Sequence, residues 1–192
     1  TKDDFLTFKK INHQHWEAFQ QNKLTKSEVL SERFVNYFKH HQMEVDGHRA
    51  DVLFRNGLAE AKVKYFDQTL ETIVELSKRH DLYIVTNGVT ETQKRRLNQT
   101  PLHKYIKKIF ISEETGYQKP NPEFFNYVFN DIGEDERQHS IIVGDSLTSD
   151  ILGGINAGIA TCWFNFRGFD HNPGIIPDYE INSWKQLNDI VR

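Results

Sequence analysis

Three short polar clusters carry residues that could do chemistry. The first is Thr86-Asn87-Gly88, directly after the apolar run Leu82-Tyr83-Ile84-Val85. A hydroxyl followed by backbone N–H groups in a glycine turn, leading into a helix, is a natural cradle for a phosphate. The same residues also read as an ordinary strand-to-helix turn with Thr90 as the cap. The second is Lys119-Pro120-Asn121-Pro122, in the loop after Ile109-Phe110-Ile111. A lysine held ahead of a proline-started helix presents a fixed positive charge that can offset developing phosphoryl charge. It reads equally as a solvated surface lysine. The third is Gly144-Asp145-Ser146-Leu147-Thr148-Ser149-Asp150, after Ile141-Ile142-Val143. Gly144 lets the backbone turn closely, and Asp145 at the strand end offers oxygen to a hard cation. Asp150, near the start of the next helix, can hold a metal-bound water or the lysine. Capping of that helix by Asp145 or Ser149 is the plainer account. The order of the three clusters decides more than any one of them, because independent helix caps need not follow three successive strands.

The elements that must position these clusters fall into two regions. Residues 1–65 read as short amphipathic helices without a convincing strand. Phe5, Phe8, Ile11, His15 and Phe19 approximate helical spacing, and Thr25-Lys26-Ser27-Glu28 is a capping box. Leu30, Phe34, Tyr37 and Phe38 supply the apolar stripe of the helix it starts. Asp46-Gly47 marks a turn, with a further helix from Val52 to Tyr65. Residues 66–192 alternate between helix and strand, with Thr161-Cys162-Trp163-Phe164 and Tyr179-Glu180-Ile181 as further strands and Ser183 capping a last helix. That alternation predicts an α/β core, a doubly wound Rossmann-like parallel sheet with helices on both faces, beside an all-helical cap. In such sheets ligands gather at the carboxyl ends of the strands, where all three clusters stand.

Composition narrows the function classes. With 38% hydrophobic and 27% charged residues, the 192-residue chain can build a packed core. A formal net charge of -3 leaves no basic footprint for a nucleic-acid polymer. No apolar run approaches a membrane span of about 20 residues. The single cysteine, Cys162, excludes an intrachain disulfide and suits a reducing, cytoplasmic compartment.

Ile84-Val85-Thr86-Asn87-Gly88, Gln118-Lys119-Pro120-Asn121-Pro122 and Gly144-Asp145-Ser146-Leu147-Thr148-Ser149-Asp150 together resemble the second, third and fourth motifs of the haloacid dehalogenase superfamily. The subgroup they resemble most is that of the pyrimidine 5'-nucleotidase-like phosphatases. The resemblance covers essentially the whole chain, with residues 1–65 similar to the cap that many members insert between the first and second motifs. It implies an Mg2+-dependent hydrolase of small phosphorylated metabolites, with nucleoside monophosphates as the first class to test. An aspartate would attack phosphorus and form an aspartyl-phosphate, and a second aspartate would act as acid and base. Thr86, with backbone N–H groups near Asn87 and Gly88, would bind the phosphoryl oxygens. Lys119 would pair with nucleophile and phosphate, Asp145 would ligate Mg2+, and Asp150 would stand in the outer shell.

The family's first motif, Asp-x-Asp at the end of the central strand, has no counterpart here. Asp3-Asp4 follows no apolar run and heads a helix. We therefore expect the native protein to carry an N-terminal segment with that strand, and residues 1–192 alone to be inactive. A carbon–halogen hydrolase and a non-catalytic binding module of the same fold are the alternatives. Oligomeric state is not readable. His13, His15, Trp16 and Trp163 are substrate-contact candidates by chemistry only, and packing accounts for each of them at least as well.

Overall fold

The computed structural model describes residues 1–191 and divides into two compact units, Thr1–Ala61 and the chain from Lys62 onward. The first unit is three helices, α1 (Lys2–Gln20), α2 (Lys26–His40) and α3 (Gly47–Glu60), with α2 packed against both others. The capping box at Thr25 forms as expected, the hydroxyl accepting from Glu28 N–H while the Glu28 carboxylate takes the Thr25 N–H. Two details differ from the sequence reading. Asp46 is not part of a free turn. Its carboxylate caps α3 by accepting the Arg49 N–H at 3.0 Å, so the helix begins five residues earlier than Val52 and ends at Glu60. The buried face of α2 is also rotated: Val29, Arg33 and Phe34 lie inside, and on α1 Phe5 is exposed.

A charge inside that stripe needs partners, and Arg33 has them. Its guanidinium donates to Asp51 of α3 and to Asn12 of α1, both at 2.6 Å, and Arg55 takes the other Asp51 oxygen at 2.6 Å. The guanidinium lies over the rings of Phe34 and Phe54, which meet Phe8 to close the aromatic centre of the bundle. Burial lowers the pKa of Arg33, while the Asp51 carboxylate opposes that shift.

The second unit is α/β. After α4 (Thr69–Leu76) come β1 (Tyr83–Thr86), α5 (Thr90–Asn98), β2 (Lys108–Ile111), the single turn α6 (Ser112–Thr115) and α7 (Pro122–Ile132). Then follow β3 (Ile141–Gly144), a π-helical turn over Leu147–Ile151, α8 (Leu152–Ala157), β4 (Ala160–Phe164), β5 (Tyr179–Ile181) and α9 (Leu187–Ile190). Every strand pairing is parallel. The sheet comes in two pieces: β1 pairs with β2, and β3 pairs with β4, which pairs with β5.

Both pieces lie in one layer, because they present the same two faces to the same two cores. Tyr83, Val85 and Phe110 share one cluster with Ile142 and with Phe124, Phe125, Val128 and Phe129 of α7. Leu82 shares the other with Ile141, Val143, Cys162, Phe164 and Ile181, covered by Leu76 of α4 and Leu187 of α9. This is the doubly wound arrangement, seen most fully in β3, which feeds Ile142 to one helical layer and Ile141 and Val143 to the other. Phe124 and Phe129 are wholly buried; at about 2–3 kcal/mol each, α7 is held chiefly by this face. Cys162, midway along β4, is fully enclosed, and burial pushes its thiol up to about 11. Among the described residues no helix is long and apolar enough to cross a membrane.

Candidate active site

Going outward from the break in the sheet, the chain lays down β1 then β2 on one side and β3, β4, β5 on the other. The break is thus the point where strand order reverses, and in open α/β sheets the crevice at such a point, at the carboxyl ends of the strands, is where ligands bind. Thr86 ends β1 and Gly144-Asp145 ends β3. The loop before α7 places Lys119 between them. Its ammonium donates to the Val85 carbonyl of β1 at 2.8 Å and to Asp150 at 2.6 Å, with Lys119 only 5% exposed. The lysine is therefore not the solvated surface group that its sequence context allows.

The surrounding polar groups fix this lysine. Asn87, itself buried, brackets it: the Asn87 amide donates to the Lys119 carbonyl at 2.8 Å, and its oxygen accepts the Lys119 N–H at 2.9 Å. The Asn87 side chain thus serves the loop, not an incoming ligand. Thr86 Oγ accepts the Gly88 N–H at 3.0 Å, so that N–H closes the turn. Thr90 is not the cap of α5; the Glu113 carboxylate, 23 residues away, takes the Thr90 N–H at 2.7 Å. A cap from so distant a residue leaves no local signal.

On the β3 side, Asp150 accepts the Ser146 N–H at 3.1 Å as well as the Lys119 ammonium. Ser146, not Asp145 or Ser149, caps the following turn, its hydroxyl accepting the Ser149 N–H at 3.2 Å. Gly144 is required here by close approach: a Cβ at that position would stand 2.2 Å from Asp150 Oδ2. Asp145 is left open at the strand end, its backbone carbonyl accepting the Trp163 indole N–H at 3.1 Å. Protein crowding that strips water from its inner side, and then the Asp150 carboxylate, raise its pKa above the usual aspartate value.

The structure thus gathers Thr86, Asn87, Gly88, Lys119, Asp145 and Asp150 around one crevice. Trp163 is wholly buried and steadies Asp145 instead of facing a ligand. In the helical unit His13 pairs with Glu17, His15 bonds the Ile11 carbonyl and Asn36, and Trp16 packs edge-on against Phe19. Sequence reasoning passed over Asn165, Arg167 and Glu180. The strand-end rule applied to β4 could have flagged the first two.

The sequence profile of haloacid dehalogenase-like hydrolases matches residues 6–164. The chain belongs to this family. It is 42% identical over 191 residues to the HAD-hydrolase YfnB of Bacillus subtilis, covering 100% of this chain and 81% of that protein. The crystal structure of YfnB bound to magnesium superposes with a TM-score of 0.93 over 100% of this chain and 84% of that one. Pyrimidine 5'-nucleotidase YjjG of Escherichia coli is 31% identical over 191 residues, covering 100% of this chain and 84% of the relative. Pyrimidine 5'-nucleotidase PynA of Streptococcus pneumoniae is 33% identical over 183 residues, 94% of this chain and 76% of the relative. The haloacid dehalogenase-type fold accounts for both the order of the strands and the helical unit that precedes them.

Proposed function

We propose that this haloacid dehalogenase-like hydrolase is an Mg2+-dependent phosphomonoesterase, with nucleoside 5'-monophosphates as its substrate class. The observation that carries the reading is the Lys119 ammonium spanning Val85 of β1 and Asp150 beyond β3, with Thr86 and Asp145 on either side of it. A desolvated cation fixed at that point is placed to neutralise charge building on phosphoryl oxygens. Thr86 has an O–H to donate to the same oxygens, since its Oγ only accepts from Gly88. The names of two relatives, both pyrimidine 5'-nucleotidases, support the substrate class.

The oxygen donors of the crevice fit magnesium. Asp145 is open to solvent, has a carboxylate neighbour in Asp150 that disfavours its charge, and is held by its backbone. Magnesium keeps several waters and takes substrate oxygens, so it needs few protein carboxylates. Asp145 would hold it directly, with Asp150 behind. When bound, Mg2+ supplies charge neutralisation at the phosphoryl group.

The nucleophile in this reading is a carboxylate on a strand seated between β1 and β3. All four residues of β1 are only half-buried, whereas four of the five in β4 are buried, which supports β1 having one edge uncovered by this stretch of chain. Attack on phosphorus would form an aspartyl-phosphate, which water then cleaves. Lys119, itself held by Asp150, would position that carboxylate and offset its charge.

The test is hydrolysis of nucleoside monophosphates by the native-length protein in Mg2+, repeated in EDTA and with Lys119→Ala. We expect turnover in Mg2+, none in EDTA, and kcat reduced by roughly 10²-fold or more in the variant. Full activity in EDTA, or dehalogenation without phosphatase activity, sinks the reading.

A further inference from the structure

Asp145 shares a small notch with Phe164, Asn165, Phe166, Arg167 and Phe169, the residues at and just beyond the carboxyl end of β4. The loop that carries them is closed by one side chain. Asn165, which is buried, accepts the Phe169 N–H at 2.8 Å and donates to the Phe169 carbonyl at 3.0 Å. The same amide donates to Glu180 of β5 at 2.7 Å, and Glu180 in turn pairs with His171 at 2.5 Å. Gly168 takes a positive φ of 65° within this loop, as a tight reversal requires. Residues 165–169 are therefore anchored to the sheet at their base and closed upon themselves.

What this braced loop displays to solvent is Phe169 and Arg167. Phe169 is 56% exposed. Arg167 is exposed too; its guanidinium lies 4.6 Å from the Phe166 ring centre and 5.7 Å from that of Phe169, and it makes no hydrogen bond among the described residues. A flat cation with uncommitted donors beside an open phenyl face can stack on a planar group and hydrogen-bond its edge. Both sit in the notch that contains Asp145, at the end of the sheet where the crevice lies.

We propose that Arg167 and Phe169 are the specificity-determining residues for the leaving group, binding the pyrimidine base of a nucleoside 5'-monophosphate whose phosphate lies at Asp145 and Lys119, with Asn165 as the positioning residue of their loop. The phenyl face stacks on the base, and the guanidinium donates to its ring carbonyl oxygens. An aliphatic alcohol offers neither surface. The inference rests on the phosphomonoesterase reading and adds to it the place where the alcohol half of the ester is read.

The experiment measures kcat/KM of the native-length protein for uridine 5'-monophosphate and for glycerol phosphate, and takes their ratio. Base–aromatic stacking makes a drop in that ratio of about tenfold the expectation for Phe169→Ala, and a similar drop for Arg167→Ala. Asn165→Ala, which frees the loop, should lower the ratio as well, and Phe169→Trp should keep it. A ratio that stays within twofold of wild type, or rises, in Phe169→Ala and Arg167→Ala overturns the proposal, even if both activities fall together. Wild-type protein that cleaves glycerol phosphate but not the nucleotide overturns it together with the nucleotide substrate class, and leaves Mg2+-dependent phosphomonoester hydrolysis standing. Wild-type protein that cleaves neither in Mg2+ removes both.

Discussion

Lys119→Met keeps the stem of the side chain and deletes only the ammonium. The charge it leaves behind is Asp150, whose side chain is 13% exposed. Breaking a buried ion pair costs about 3–5 kcal/mol when the stranded charge has no other partner. Asp150 keeps the Ser146 N–H at 3.1 Å and a little water, while Val85 loses its 2.8 Å bond, so the cost should settle at about 2–3 kcal/mol. For a chain of this length that lowers the thermal midpoint by about 5–10 °C. Chemical unfolding, followed by tryptophan fluorescence, gives the value directly. Asp150→Asn and the double variant complete a thermodynamic cycle, in which the pair should be worth about 2 kcal/mol less to lose jointly than the two losses added. A cost under about 0.5 kcal/mol, or strict additivity, would mean that the ammonium is hydrated and the bridge from β1 to Asp150 is not what shapes the crevice.

Three further outcomes follow from the packing and the charges. Gly144→Ala drives a methyl against Asp150 and should destabilise by about 1–3 kcal/mol while lowering turnover more than substrate affinity, read by unfolding and by steady-state kinetics. Asp145→Asn should stabilise the metal-free protein at neutral pH. A carboxyl whose folded pKa is raised contributes stability below its unfolded pKa of about 3.9 and loses it as pH rises through the folded value, so the gain over wild type should vanish on acidification to about pH 3, as a Tm series in EDTA will show. Asp51→Ala strands Arg33 and Arg55 in the helical unit and should cost about 3–5 kcal/mol there, seen as loss of helical circular dichroism well below the melting of the α/β unit.

Four of the strands were legible as short, largely apolar runs, and so were the strand-end clusters, because chemistry at that end needs polar residues immediately after such runs. Local caps were legible only when the partner lay three residues on, as at Thr25 and Glu28. Asp46 was misread because an Asp-Gly pair signals a turn as readily as a helix start. Arg33 was passed over because a charge within an apolar stripe counts against burial until its partners on α1 and α3 are known. The same holds for Glu113 capping α5 and for Asn165 tied to Glu180: each contact spans a stretch of chain over which sequence carries no distance information. Lys119 was singled out by type and position, yet its bonds to the Val85 carbonyl and to Asp150 span 34 and 31 residues and are invisible in the sequence.

The enclosed thiol of Cys162 makes the second unit self-reporting. An alkylating reagent meets it only when β4 leaves the cores on either side, and until then the raised pKa keeps the sulfur protonated near neutrality. Opening removes both obstacles at once, since a free cysteine ionises near 8.5. The labelling rate in native buffer is thus a clock for the opening of the β3–β4–β5 sheet. It is blind to fraying of the three-helix unit, which contains no cysteine. One chemical measurement can therefore tell which half of the chain a destabilising substitution has loosened.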